Sequence, residues 1–275
     1  MGEPTKAGAG EPILRQGVLV AAGTHLRLAD LRFTIDDAGE LQSSLRLELA
    51  LDVFPHWMAI ALGHAEALES AHTQLLAAWP TPDEGAVHAA LEAEFLASMQ
   101  AITATAIAWD ALYDTVQRVS PISTEITASW RHNRTARYQR LGEVLRRGFR
   151  IGNASAVQLR LVLKETFKYR GWSVHPPAAF STPAHHPELN VQTEWRFAAF
   201  RHFNAHHTVR AAIALIPQLM TRPRAARPEL VKFCGPMLPR MKALVERWED
   251  RFGMSIEGEA RGLLGLVPRP PAREA

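Results

Sequence analysis

Arg170 and His175 stand five positions apart in FKYRGWSVHPP, residues 167–177, with Gly171 between them and Pro176 and Pro177 behind. Together these side chains could cleave RNA through its own 2′-hydroxyl. A guanidinium grips a phosphate bidentately and stabilises charge gathering on its oxygens, while a near-neutral imidazole moves a proton to or from the reacting oxygens. No metal is needed for that chemistry. The structural alternative is that Arg170 covers the last carbonyls of its helix and His175 packs in a loop. The same spacing recurs at Arg201–His206 in RHFNAH. Five residues along an unbroken helix turn about 500°, which leaves the two side chains roughly 140° apart. RHFNAH lies inside a helical pattern, where His202 and His206 share a face. At Arg170 the helix is expected to stop, because Gly171 follows and Pro176 drives His175 toward extended geometry. Arg170 and His175 are therefore the catalytic candidates, with Arg201, His202 and His206 as secondary ones.

Six of the twelve histidines, from His175 to His207, fall in one window. His202 and His206, four apart, could share an ion with Glu194 or a loop histidine. Carboxylates are sparse nearby and the HExxH pattern is absent, so the expectation is a polar cluster, with no metal and no cofactor, and a His-rich helical metal enzyme is the lesser alternative.

Charge is unevenly spread. Residues 1–124 carry 6 Lys+Arg against 16 Asp+Glu, whereas residues 125–170 carry 11 against 3. Such a basic segment suits phosphate contact, or else a solvated face paired with the acidic part. Arg131, Arg134, Arg137 and Arg140 recur every third residue beside Trp130 and Tyr138, so charge and stacking could serve one RNA strand. Arg131, Arg134, Arg137 and Lys168 are the candidate nucleic-acid contacts.

These residues need a scaffold, and the chain predicts a mainly α one. LRLELALDV, residues 45–53, alternates as a half-buried strand, and HLRLADLRFTI alternates with a phase slip at Ala29–Asp30, so residues 13–53 read as a small antiparallel β-meander. Helices are predicted over 55–78, 81–119 (opened by the box TPDE), 124–150, 155–170, 192–221 and 228–252. The organisation expected is a disordered start over 1–12, an accessory meander and helix over 13–80, a helical bundle over 81–222, a C-terminal helix over 223–254 and a flexible tail over 255–275.

LKETFKYRG-WSVHP looks like the signature of the HEPN superfamily, in which an apolar helix carries R-x(4–6)-H with an apolar residue, here Val174, before the histidine. A looser likeness covers residues 85–221. The resemblance implies a HEPN-like helical bundle that forms a homodimer, joining two Arg/His pairs in one cleft as a metal-independent endoribonuclease in phage defence or a toxin–antitoxin pair. RNA would be its substrate and a cognate antitoxin or defence-system component its partner. Arg170 would hold the scissile phosphate and His175 would transfer the proton. Active members usually place Asn, Asp or His after the arginine, where this chain has Gly171, so the resemblance also implies an alternative: a catalytically silent module that binds nucleic acid or protein.

Composition narrows the rest. A chain of 275 residues, 47% hydrophobic, can bury a real core. The single cysteine, Cys234, excludes an internal disulfide and fits a reducing compartment. The first dozen residues lack a secretory pattern and the longest uncharged apolar run is short, so a cytoplasmic protein without membrane attachment is expected. P-loop, Rossmann and nucleophile-elbow motifs are absent.

Overall fold

The computed structural model describes residues 20, 24–35, 37–119, 122–175, 181–221, 228–253 and 255–256. The chain divides into two compact units, Met1–Leu51 and Asp52–Ala275. Thus the division falls ahead of the first helix, and that helix belongs to the helical unit instead of an accessory region ending at residue 80.

The first unit holds one antiparallel hairpin, β1 (Thr24–Ile35) and β2 (Leu41–Leu51), turned through Gly39 at φ 82°. Only glycine adopts that backbone freely. The register pairs Leu26 with Leu49, Leu28 with Leu47, Leu31 with Leu45 and Ile35 with Leu41, which collects the apolar side chains on one face. Arg27 opposite Glu48 and Asp30 opposite Arg46 occupy the other. The phase slip read at Ala29–Asp30 is a bulge between Leu28 and Asp30. Without it Leu31, Phe33 and Ile35 would turn to the charged face. Most of the earlier part of the expected meander, 13–19 and 21–23, lies outside the described residues, as do 1–12.

The second unit is a bundle of eight helices among the described residues: α1 (Phe54–Ala78), α2 (Glu84–Val119), α3 (Thr124–His132), α4 (Arg137–Gly148), α5 (Asn153–Val174), α6 (Trp195–Ala199), α7 (His202–Met220) and α8 (Pro228–Phe252). Two three-residue strands, β3 (Ala184–His186) and β4 (Val191–Thr193), pair antiparallel ahead of α6. Helix α2 is long and apolar enough over one stretch to cross a membrane, yet half of that stretch is buried in the bundle. It packs along α1 and also meets α4, α5 and α7. Met58 and Leu62 of α1, Ile102 and Trp109 of α2, Leu163 of α5, Ile213 of α7 and Trp248 of α8 are fully buried in one cluster. Each such side chain contributes about 1.5–3 kcal/mol through burial.

Several boundaries differ from the pattern in the sequence. Asp83, not Thr81, caps α2, its Oδ1 accepting the Ala86 N–H at 3.0 Å while the Thr81 hydroxyl donates to the Ala78 carbonyl. The predicted helix 124–150 is two helices, because Arg134 takes a left-handed φ of 48° between α3 and α4. The predicted helix 192–221 breaks at Phe200, a buried residue with ψ 52°, leaving β4, α6 and α7 in its place. The start of the expected tail is also packed: Ile256 is buried and its N–H donates to Glu249 at 2.7 Å.

Helix α5 does not stop at Gly171. It runs to Val174, and the His175 N–H donates to the Gly171 carbonyl at 2.9 Å. One glycine costs a helix only about 1 kcal/mol, and tertiary packing outweighs it here. Trp172 packs edge-on against Tyr169 and Trp195, and Ser173 hydrogen-bonds Thr103 of α2 at 3.0 Å.

Candidate metal centre

The continuation of α5 removes the geometric reason for Arg170 and His175 to converge. Arg170 lies within α5 and His175 caps the helix at φ −128°, its N–H still bonded to Gly171. Arg170 is half-buried, His175 is exposed just beyond the helix, and Pro176 and Pro177 lie outside the described residues. The basic contacts are dispersed as well. Arg131 ends α3, Arg134 sits in the turn and Arg137 opens α4. Arg137 is committed inward, donating to Asp110 at 2.6 Å and stacking 4.1 Å over Tyr113. Lys168 pairs with Glu165 and lies over Trp172.

The second arginine–histidine pair belongs to a different arrangement. Arg201 is the residue before α7, in extended backbone, and donates to Glu188 at 3.0 Å. His202 Nε2 lies 2.8 Å from Glu69 of α1, and its ring stacks on His72 at 4.3 Å. His206 lies beside His202, ring centroids 5.4 Å apart, and packs on Trp248 and Phe252 of α8, where burial pushes its pKa down to about 4. Glu194 caps α6 by accepting the Arg196 N–H. So the trio Glu194, His202 and His206 does not assemble around one point.

What does assemble is a cluster from three separate stretches of chain. One ligand atom each from His72 of α1, Glu94 of α2 and Glu188 of the β3–β4 turn lie within 4.8 Å of one another. Glu94 is 1% exposed and accepts two hydrogen bonds, from His72 Nδ1 at 2.9 Å and from the His202 N–H at 2.8 Å. Burial alone would raise its pKa, but these bonds outweigh burial and hold Glu94 below the usual carboxylate range. His72 is raised, first by its bond to Glu94 and, against the opposing effect of burial, by the charges of Glu94, Glu188 and Glu69.

The β3–β4 turn is held over this cluster by a hydrophobic plug. Leu189 packs with Leu75 of α1 and Ala90 of α2, and Asn190, at φ 54°, closes the turn by donating its N–H to the His186 carbonyl at 2.8 Å. That places His186 and Glu188 at the seam. His186 is 1% exposed, and its Nδ1 accepts the Leu189 N–H at 3.3 Å, which assigns the proton to Nε2. Nε2 is buried with no partner, and so is Glu188 Oε2. Burial lowers the pKa of His186, against the pull of Glu188 and Glu94 and with the opposition of Arg201 and His72, so the ring is neutral near pH 7. A buried donor and a buried acceptor left unpaired each cost about 1–3 kcal/mol. A group that takes the proton of one and the lone pair of the other removes both penalties.

A divalent ion would take the lone pair of Glu188 Oε2, while the His186 Nε2–H needs an acceptor that a bare cation does not supply. Three protein ligands contributing imidazole nitrogen and carboxylate oxygen, with one further position, is the form of catalytic sites for divalent first-row metals. His72, Glu94 and Glu188 would be the ligands. His186 would act differently, because its bond from Leu189 leaves Nε2 as a donor toward a fourth group.

The sequence reading passed over these residues because they lie in elements far apart in the chain. One local signal was present. The buried face of α2 runs Ala90, Glu94, Ser98, Ala101 and Thr105, so Glu94 occupies a core position where a carboxylate needs partners. Another is Glu69-x-x-His72, whose i, i+3 spacing puts both side chains on one face of α1.

The architecture and site thus define a class: a helical bundle with a part-buried histidine–carboxylate cluster. The chain matches no protein-family model, no curated protein and no solved structure.

Proposed function

We propose that this protein is a helical-bundle metalloprotein in which His72, Glu94 and Glu188 hold one divalent first-row ion. The observation that supports it is the convergence of their ligand atoms within 4.8 Å beside two buried, unpartnered polar atoms, His186 Nε2 and Glu188 Oε2. One imidazole with two carboxylates suits zinc, iron(II) or manganese(II) better than copper(I) or calcium. Such an ion supplies a Lewis acid and lowers the pKa of water, which fits hydrolytic chemistry. Arg201 neutralises part of the charge on Glu188, Glu69 orients His202, and the His202 N–H fixes the Glu94 carboxylate.

Zinc titration calorimetry on the EDTA-stripped protein tests the reading. The expected stoichiometry is one ion per chain, with affinity rising with pH, because the proton held by His72 must leave. Alanine at His72 or Glu188 should weaken binding at least tenfold. Absence of binding, or equal binding by these variants, would exclude the site. Stability in EDTA carries the linked sign. His72 is raised, so its contribution is full below pH 6.5 and is lost as pH rises through its folded value; Glu94 is lowered, so its contribution is full above pH 4.5 and is lost on acidification. The melting temperature of the stripped protein should therefore fall as pH rises above 6.5, and zinc should restore it.

A metal-independent ribonuclease of HEPN type is a second proposal, supported by a half-buried Arg170 near the C-terminal end of α5 and an exposed His175 just past that end. Excess EDTA separates the two. Under this reading RNA yields cyclic-phosphate fragments in EDTA, and Arg170→Ala or His175→Ala abolishes them; intact RNA would reject it.

A further inference from the structure

The hairpin collects its exposed large side chains on one apolar face. Leu26 is 56% exposed, Phe33 61%, Ile35 74% and Leu41 69%, and all lie on the same side of the β1–β2 ladder. Two-stranded hairpins are at best marginally stable alone, and contiguous apolar patches of this extent mark interaction sites. The opposite face differs in kind. There Arg27 and Arg46 pair with Glu48, and Arg32 with Asp30. Its arginines are answered by carboxylates, so the hairpin presents little unbalanced positive charge to an anionic membrane.

We propose that this face docks on the same face of a second copy of the chain, forming a two-layered sandwich of two hairpins around a two-fold axis. Area argues for that occupant. Covering the exposed parts of the four apolar pairs, Phe33 and Leu51 would remove roughly 60–100 Å² per side chain. Two copies would then bury about 1,200–2,000 Å², which is what a stable dimer needs. Polarity argues for it too. The face holds no charge along its length, so a copy rotated by 180° meets apolar surface everywhere and no like-charge pair. Aligned sheets also pack by interdigitating such faces. The contact is independent of the metal centre, which lies wholly in the helical unit.

Ser43 and Ser44 supply the test, because neighbouring residues of a strand point to opposite faces. Ser43 pairs with Phe33 on the apolar face and Ser44 with Arg32 on the charged one. Cys234, the only native cysteine, is buried and its thiol is pushed up to about 12, so it stays silent. In sedimentation equilibrium the full chain should give twice 30.5 kDa. At dimer-forming concentration maleimide should label Ser44→Cys readily and Ser43→Cys slowly, because only the second would be covered by the partner copy. Leu28→Glu with Leu45→Glu should weaken association at least 100-fold without changing the unfolding of the helical unit. A monomeric native chain at about 100 μM would overturn the proposal, as would equal maleimide labelling at the two positions. So would flotation of a monomeric native chain with phosphatidylcholine vesicles, which would assign the face to lipid.

Discussion

Glu94→Gln is expected to destabilise the helical unit by about 3 kcal/mol and to lower zinc affinity by at least 100-fold. Glutamine keeps the volume of the side chain, so packing along α2 is preserved and the effect is electrostatic. The carboxylate is 1% exposed and accepts from both His72 and the His202 N–H. An amide has only one acceptor oxygen, so one of those donors would face an NH₂ group. Removing one partner of a buried charge pair typically costs 3–5 kcal/mol, because the other is left uncompensated. His72 would also lose the largest cause of its raised pKa. Urea unfolding gives the stability change and calorimetry the affinity. A loss under 0.5 kcal/mol with unchanged zinc binding would mean that Glu94 is neither a buried ion-pair partner nor a ligand.

Trp248→Ala should cost about 3–5 kcal/mol, the range for deleting a buried aromatic side chain. Trp248 is fully buried and joins α8 to α7, its ring 4.6 Å from His206 and 4.3 Å from Phe252. The cavity would admit water to His206. That ring is depressed to about 4, first by burial and then by His202 and His207, so hydration should move it back toward 6.5. In the native protein a depressed histidine makes stability rise with pH between about 4 and 6.5, since the unfolded chain takes up the proton first. The variant should lose that slope. Histidine NMR titration reads the pKa and denaturant unfolding the slope; an unmoved His206 would show that burial by Trp248 is not its cause.

How much of this could be read from the chain depends on the range of the interaction involved. The hairpin and its slip at Ala29–Asp30 were legible, because alternation and turn chemistry are local, although the strand expected over 45–53 runs over 41–51. Helices α1 and α8 followed their periodicity for the same reason. The errors share another cause. Gly171 looked like a stop, but Trp172 against Trp195 and Ser173 against Thr103 carry the helix on, and those partners are distant in sequence. Arg134 in a left-handed turn carries no glycine to announce it. The histidine window drew attention to His202, and His202 does sit at the centre. Its ring pairs with Glu69 and its N–H with Glu94, more than a hundred residues upstream, which no local spacing reveals. Glu94 alone was readable as a carboxylate on a core stripe. His186 and Glu188 were not, because their placement depends on Leu189 docking between α1 and α2.

The central claim concerns a position in space, and diffraction can test it directly. Crystals of the full chain soaked in zinc, with data collected on both sides of the zinc absorption edge, should show one strong anomalous peak bounded by His72, Glu94 and Glu188, about 2.0–2.2 Å from each ligand atom. His186 Nε2 should face the fourth position. A map with no peak there, or with zinc only at surface histidines such as His175 and His185, would contradict the assignment and leave the cluster as a network of ion pairs.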